Sequence, residues 1–213
     1  YIGSSIAHHL IDMGHEPVIL DNLSTGSREA VPPAAPFVEA DCGDQATLEQ
    51  TIREHKIAAA IQLAAAVRVD ESVSDPAKYY FNNTVKSLNV FTTCAKVGVT
   101  DFVFSSTAAV YGEASAGLIT ETVPTQPANP YGHSKLASEF MLRDIARVGG
   151  MRATIFRYFN VAGADPRLRN GQRTKLATHL VKVASEVAAG IRPHLDVYGT
   201  DYPTPDGTAV RDY

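Results

Sequence analysis

The sequence predicts an α/β fold, a doubly wound parallel sheet followed by a small, incomplete C-terminal domain. Short runs rich in β-branched and aromatic residues alternate with longer amphipathic segments, as strand–helix–strand units around a parallel sheet do. Each short run ends in a loop of small or polar residues, so these loops share one edge of the sheet. After Asn160 the alternation loosens into Gly-, Pro- and Asp-containing loops.

Apolar spacing and chain breakers place the elements in order. A first helix spans Ser4 to Met13 and stops at Gly14, and a strand follows over Pro17 to Leu20. Phe37 to Glu39 is the next strand, then a helix over Gln45 to His55 and a strand over Ala58 to Leu63. Pro76 opens a long helix that reaches Val97, ahead of Gly98 and a strand over Asp101 to Ser105. Tyr131 to Val148 reads as a helix closed by Gly149, and Arg152 to Phe156 as a strand. Beyond Asn160 we expect one helix, Thr174 to Ala189, and two short strands. The expected domains are therefore 1–159, Rossmann-like and lacking its first strand, and 160–213.

With 213 residues, 45% hydrophobic and 20% charged, the chain can build one full core. A net charge of -4 with scattered basic residues offers no footprint for nucleic acid or an anionic membrane. The longest apolar stretch, Ala58 to Val67, is interrupted by Gln62 and falls short of the ~18 residues a membrane span needs. No signal peptide is visible. Cys42 and Cys94 have neither disulfide-scaffold nor zinc spacing, so a reducing cytoplasm is the default and no metal is expected. Starting at Tyr1 without methionine, the chain reads as a piece of something longer.

Chemistry concentrates in Tyr131-Gly-His-Ser-Lys135, downstream of Phe104-Ser-Ser-Thr107. A tyrosine four residues before a lysine shares its helix face, so the ammonium is expected beside the phenol, favouring the ionised form. A free phenol titrates near ~10, and poising it for base work at neutral pH takes ~3 units, or ~4 kcal/mol. Thr107, at a strand mouth, would offer a hydroxyl to the same substrate oxygen. Alone, such a pair is more often a solvated helix surface; the context makes it a hydride-transfer site. Tyr1-Ile-Gly3 before a helical pattern looks like the tail of a phosphate-binding loop. Asp21 closes Val18-Ile-Leu-Asp21 eighteen residues after Gly3, near the ~20 expected of the acid that binds an adenosine ribose. A carboxylate there accepts from a free 2'-hydroxyl and repels a 2'-phosphate, which favours NAD over NADP. Asp41-Cys42 could flank the adenine. There is no Gly-x-Ser-x-Gly turn, and His8, His9 and His15 look solvated, so neither a hydrolase nor a metal site is suggested.

Blocks along the whole chain, in order, carry a resemblance. They are Tyr1-Ile-Gly-Ser4, Asp21-Asn-Leu-Ser-Thr-Gly26, Glu71-Ser72, Tyr79-Tyr-Phe-Asn-Asn83, Phe104 to Gly112, Asn129-Pro-Tyr-Gly-His-Ser-Lys135, Arg157-Tyr-Phe-Asn160 and Asp201 to Tyr213. Together they resemble the extended short-chain dehydrogenase/reductase family, and within it the NAD-dependent epimerases and dehydratases. The resemblance implies that Tyr131, Lys135 and Thr107 are catalytic. It implies an NAD site made by Tyr1, Ile2, Asp21, Asn22, Leu23, Ser24, Thr25, Gly26, Asp41, Cys42, Leu63, Ala64, Ala65, Ala66, Val67, Asn83, Tyr131, Lys135 and Phe159. A UDP-sugar would meet Thr107, Tyr131, Asn160, His179, Leu180, Asp196, Val197, Tyr198 and Arg211, the last by clamping diphosphate oxygens. The family often has lysine where this chain has Val67, followed by Arg68. Dehydratases of the family carry Asp-Glu after the threonine, whereas Ala108 and Ala109 stand here, which favours 4-epimerisation of a UDP-hexose through a 4-keto sugar. A 4-epimerase of N-acetylated or pentose sugars, a dehydratase or decarboxylase, and a non-catalytic NAD sensor are the alternatives. Family members pair through the two long helices, so a homodimer is expected.

Overall fold

In the computed structural model, residues 1–113, 117–173, 179–197, 199–210 and 212 are described. Strands β1 (Ile19–Asp21) and β2 (Phe37–Glu39) run parallel, Ile19 opposite Phe37 and Asp21 opposite Glu39. A second parallel sheet has the order β3 (Ala59–Gln62), β4 (Asp101–Thr107), β5 (Arg152–Tyr158). Parallel neighbours need crossovers, and helices supply them: α2 (Gln45–Glu54) leads into β3, and α6 (Pro130–Gly149) into β5. Between β3 and β4 lie α3 (Val69–Ser74), α4 (Pro76–Tyr79), a wide π-type turn (Tyr80–Val85) and α5 (Lys86–Val97). Helix α1 (Ile2–Asp12) opens the chain, and α7 (Leu180–Ala188) stands beyond the last strand.

Local chemistry sets the helix ends. Asp44 caps α2 by accepting from the amides of Ala46 and Thr47, and Asn129 caps α6 by accepting from Gly132 N at 2.9 Å, with Pro130 in the first turn. Gly98 and Gly150, at φ 84° and 68°, end α5 and α6 in the left-handed region that only glycine enters cheaply. The core gathers Val90, Phe91 and Cys94 of α5, Phe102 and Phe104 of β4, and Leu142 and Ala146 of α6. Phe91 meets Phe102 and Phe104 edge-on, with centroids 5.3 and 5.5 Å apart. Burying such a ring stabilises by roughly 1.5–3 kcal/mol. The packing fixes β4 against both long helices, and β4 ends in Thr107.

The long helix expected over Pro76 to Val97 is there but is interrupted by the π-type turn, which carries the buried Asn83. Both β4 and β5 run two residues further than expected, pairing as far as Thr107 opposite Tyr158. The short helix α3 and the 3-10 turn Ala108–Tyr111 were not anticipated, because each is too brief to show periodicity. Of the helix expected over Thr174 to Ala189, residues 174–178 lie outside the described part and the rest is α7. Among the described residues no strand follows Asn160, so the two short strands expected there are not found. No described helix is long and apolar enough to cross a membrane.

Candidate active site

One face of α6 grips the end of β4. Lys135, 3% exposed, donates from Nζ to the carbonyl of Ser105 at 2.6 Å and lies 4.7 Å from the centroid of the Phe104 ring. Ser106 donates to Glu139 Oε1 at 2.6 Å. The Thr107 hydroxyl lies close enough to the Tyr131 phenol to favour its ionised form, and its oxygen accepts from Ala109 N at 3.2 Å. Tyr131, Lys135 and Glu139 are four residues apart, so they form one stripe along the helix, and that stripe holds three consecutive strand residues. The Glu139 carboxylate is fully buried and takes a fork from Arg157, Nε to Oε1 at 2.9 Å and Nη2 to Oε2 at 2.8 Å.

Burial pushes the Tyr131 phenol above its ordinary value, and the nearby Thr107 hydroxyl opposes it. Burial also lowers Lys135 to about 7, while the charges of Cys42 and Glu139 push it back up. The ammonium-to-phenol pairing expected from the spacing is thus corrected. An i,i+4 relation brings two side chains to one face, but the long lysine chain turns inward to the Ser105 carbonyl and the Phe104 ring. For Glu139, burial raises the carboxyl and the hydrogen bonds from Arg157 and Ser106 outweigh it, leaving it below the usual range.

A second group joins this site through Asn83. Its amide accepts from Ala66 N at 2.8 Å, donates to Ala66 O at 2.9 Å and donates to Ser134 Oγ at 3.2 Å. The loop Leu63 to Val67, leaving β3, is so tied to the helix turn that carries Lys135. Tyr79, fully buried, donates to Glu71 Oε2 at 2.8 Å, accepts from Arg68 N at 2.9 Å and sets its ring edge-on to Tyr131 with centroids 6.3 Å apart. Val67 is exposed, and the Arg68 guanidinium pairs with Asp70.

At the ends of β1 and β2 a third group forms. Asp21 Oδ1 accepts from Leu23 N at 2.7 Å, holding Leu23 at φ 56°, and a Cβ on Gly26 would come within 3.0 Å of Asp21 Oδ1. Ser24 N donates to Asn22 Oδ1, and Asn22 Nδ2 donates to Asp41 Oδ2 at 3.1 Å. Lys86 donates to Asp41 Oδ2 at 2.5 Å and Gly43 N to Oδ1 at 2.8 Å; burial raises the Asp41 carboxyl, but these partners hold it low. Burial pushes the Cys42 thiol up. Tyr1 and Ile2 start α1 and line a cavity of about 480 Å³ that opens between α1 and residues 161–169. That cavity touches neither Tyr131 nor Thr107, so the convergence of hydrogen-bonded titratable groups, and not this hollow, locates the chemistry.

The C-terminal candidates are not drawn in. Phe159 is exposed, and Asn160 donates to the backbone carbonyl of Asp212 at 2.7 Å. His179 and Leu180, at the start of α7, are exposed, as are Val197 and Asp196, which faces His194 at 3.3 Å. Tyr198 and Arg211 lie outside the described residues. Sequence reasoning passed over Ser105, Glu139 and Lys86. The stripe Tyr131, Lys135, Glu139 was a readable signal for Glu139, whereas Lys86 meets Asp41 across 45 residues with no local mark.

The description NAD dependent epimerase/dehydratase matches residues 1–213, the whole chain. The chain belongs to that family. It is 51% identical over 213 residues to the UDP-glucose 4-epimerase of Azospirillum brasilense, covering 100% of this chain and 61% of that protein. A crystal structure of UDP-glucose 4-epimerase, 42% identical, matches with a TM-score of 0.95 over 100% of this chain and 65% of its own. The Brucella ovis UDP-glucose 4-epimerase in complex with NAD, 43% identical, matches with a TM-score of 0.91 over 97% of this chain and 63% of its own. This family member spans somewhat more than three fifths of those relatives, and its parallel α/β architecture is the Rossmann-like one they share.

Proposed function

We propose that this chain belongs to an NAD-dependent isomerase that interconverts UDP-galactose and UDP-glucose at C4. The observation that carries the reading is that α6 holds Tyr131 beside Thr107 at the end of β4, with the Lys135 amine buried one turn further along and bonded to the Ser105 carbonyl.

The residues present fit NAD. With Asp21 Oδ1 occupied by Leu23 N, Oδ2 can accept from a ribose hydroxyl, and the carboxylate disfavours a 2'-phosphate. Gly26 keeps the space beside that carboxylate clear, Asn83 holds the small-residue loop Ala64 to Ala66 in place, and the N-terminus of α1 at Tyr1 and Ile2 suits a pyrophosphate. Asp41 and Cys42 would border the adenine, and Tyr131, Lys135 and Phe159 the nicotinamide end. When bound, NAD takes the hydride from the sugar C4 and returns it to the opposite face. The chain's own residues handle the proton. Tyr131 accepts it from the 4-hydroxyl and gives it back, Thr107 orients that oxygen, and Lys135 would hold the nicotinamide ribose. Asn160, His179, Leu180, Asp196, Val197, Tyr198 and Arg211 would hold the sugar nucleotide.

A dehydratase is disfavoured because the 3-10 turn after Thr107 begins with Ala108 and Ala109, which can donate no proton to a leaving hydroxyl. An N-acetylhexosamine or pentose 4-epimerase would use the same proton chemistry. A cofactor sensor would not need Tyr131, Thr107 and Lys135 together. The proposal extends to a division at 159/160 between cofactor and sugar domains, to a place in galactose metabolism in the cytoplasm, where two free thiols are at home, and to a homodimer. Tyr131→Phe in the intact protein tests the core of it. Turnover of UDP-galactose should fall by about 10²–10⁴-fold, and undiminished turnover would defeat the assignment.

A further inference from the structure

We propose that Glu139 is a positioning residue: its buried pair with Arg157 sets the height of α6 against the end of β4, and with it the meeting of Tyr131 and Thr107. The inference rests on reading Tyr131 as the proton-transfer group.

A carboxylate offers roughly four lone-pair sites, and those of Glu139 are met by Ser106 Oγ, Arg157 Nε, Arg157 Nη2 and Arg143 Nη2 at 2.6, 2.9, 2.8 and 3.1 Å. The partners are not arbitrary. Ser106 directly precedes Thr107, and the Arg157 guanidinium lies 4.8 Å from the ring centroid of Tyr111, which ends the turn that Thr107 begins. Thr107 is therefore held on both sides by one ion pair anchored in the catalytic helix. If bulk packing were the only need, apolar side chains would serve as well, since buried ion pairs are weak contributors to stability. What an ion pair adds is direction: a two-point fork and a third donor allow one register of helix against strand. The charge also faces Lys135, one turn back. The groups around the two are Arg143 and Tyr131 on α6, Arg157 on β5, Tyr111 in the turn after β4, and Cys42 after β2. Of these, Glu139 and Cys42 are the ones that favour a protonated amine. Removing the Glu139 charge lets Lys135 shed its proton at lower pH, so the limb of the profile that Lys135 sets moves down.

The test measures kcat, KM and the pH dependence of kcat for UDP-galactose turnover in the intact protein with NAD. Glu139→Gln should lower kcat by about 10-fold or more, leave KM within about twofold, and move the limb that Lys135 sets near pH 7 down by ~0.5 pH unit. Glu139→Asp, which keeps the charge but shortens the reach, should lower kcat with the limb in place. Ser106→Ala, which preserves the ion pair and so the fold, should also lower kcat without moving the limb; it carries the test if Glu139→Gln does not fold. A Glu139→Gln enzyme with native kcat and native limb overturns the inference, as does a Ser106→Ala enzyme of native kcat. Tyr131→Phe separates the two readings. If it stays active, the proton-transfer assignment itself is wrong; if it is dead while Glu139→Gln is native, only the positioning role falls.

Discussion

At Gly132 one hydrogen atom decides whether Tyr131 reaches Thr107. A Cβ there would sit 2.7 Å from the carbonyl oxygen of Ala109 and 2.8 Å from Pro127 Cβ. Backbone cannot swing aside as a flexible side-chain tip can, so Gly132→Ala should push the first turn of α6 off the turn that follows Thr107. We expect a loss of about 1–3 kcal/mol in stability and a fall in turnover of at least ~10-fold, measured by denaturant titration and steady-state kinetics. Native turnover would show that α6 and β4 do not set the site. The placement of Tyr131 and Lys135 on one helix and of Thr107 at a strand end was legible because a four-residue spacing and a strand end are local facts. The destination of the Lys135 amine was not, since it depends on the Ser105 carbonyl and the Phe104 ring, 30 and 31 residues away in sequence.

Helices α5 and α6 each serve two surfaces. Their inner faces, with Phe91 and Leu142 fully buried, hold β4. Apolar side chains also face outward here: Phe81, at 60%, with Tyr80 and Val85 in the π-type turn, Leu88 on α5, and Phe140, at 54%, on α6 are exposed. Phe81, Val85 and Leu88 follow one another at spacings of four and three from the π-type turn into α5, the spacing of an apolar stripe. Such a patch suits a second copy of the chain. Phe81→Asp combined with Leu88→Asp should bring the proposed homodimer of the intact protein to monomer mass in sedimentation equilibrium with little change in helix content by circular dichroism; an unchanged mass would remove the proposed interface. Long amphipathic elements and β-branched strands were legible in advance. The π-type turn at Tyr80–Val85 was not, because one extra residue in a turn leaves the apolar pattern nearly unchanged, yet it is what carries Asn83 to the Ala66 loop.

Across the whole molecule, the buried lysine should leave a mark on stability that no surface charge would leave. Lys135 titrates at about 7 in the folded chain and near ~10.4 when unfolded. Between those values the unfolded state binds the extra proton, so unfolding free energy rises with pH. Opposing groups enter later. Burial lifts Cys94 to about 12 and raises Cys42, Tyr79 and Tyr131. Their unfolded counterparts ionise from ~8.5 for thiols and ~10 for phenols, and from there stability should fall. The carboxyls held low, Asp101 and Glu139 among them, act only in acid, where stability falls as they are protonated. From pH 7 to 8.5 the lysine therefore dominates, with a gain of about 2 kcal/mol, followed by a plateau near pH 9 and a decline above 10. Urea midpoints of the cofactor-free intact protein, taken across pH 6.5 to 10.5, read this directly. Lys135→Met should flatten the rise between 7 and 8.5 and leave the alkaline decline in place; a native profile that is flat or falling from pH 7 would mean that the amine is not desolvated where the Ser105 carbonyl and Phe104 ring hold it.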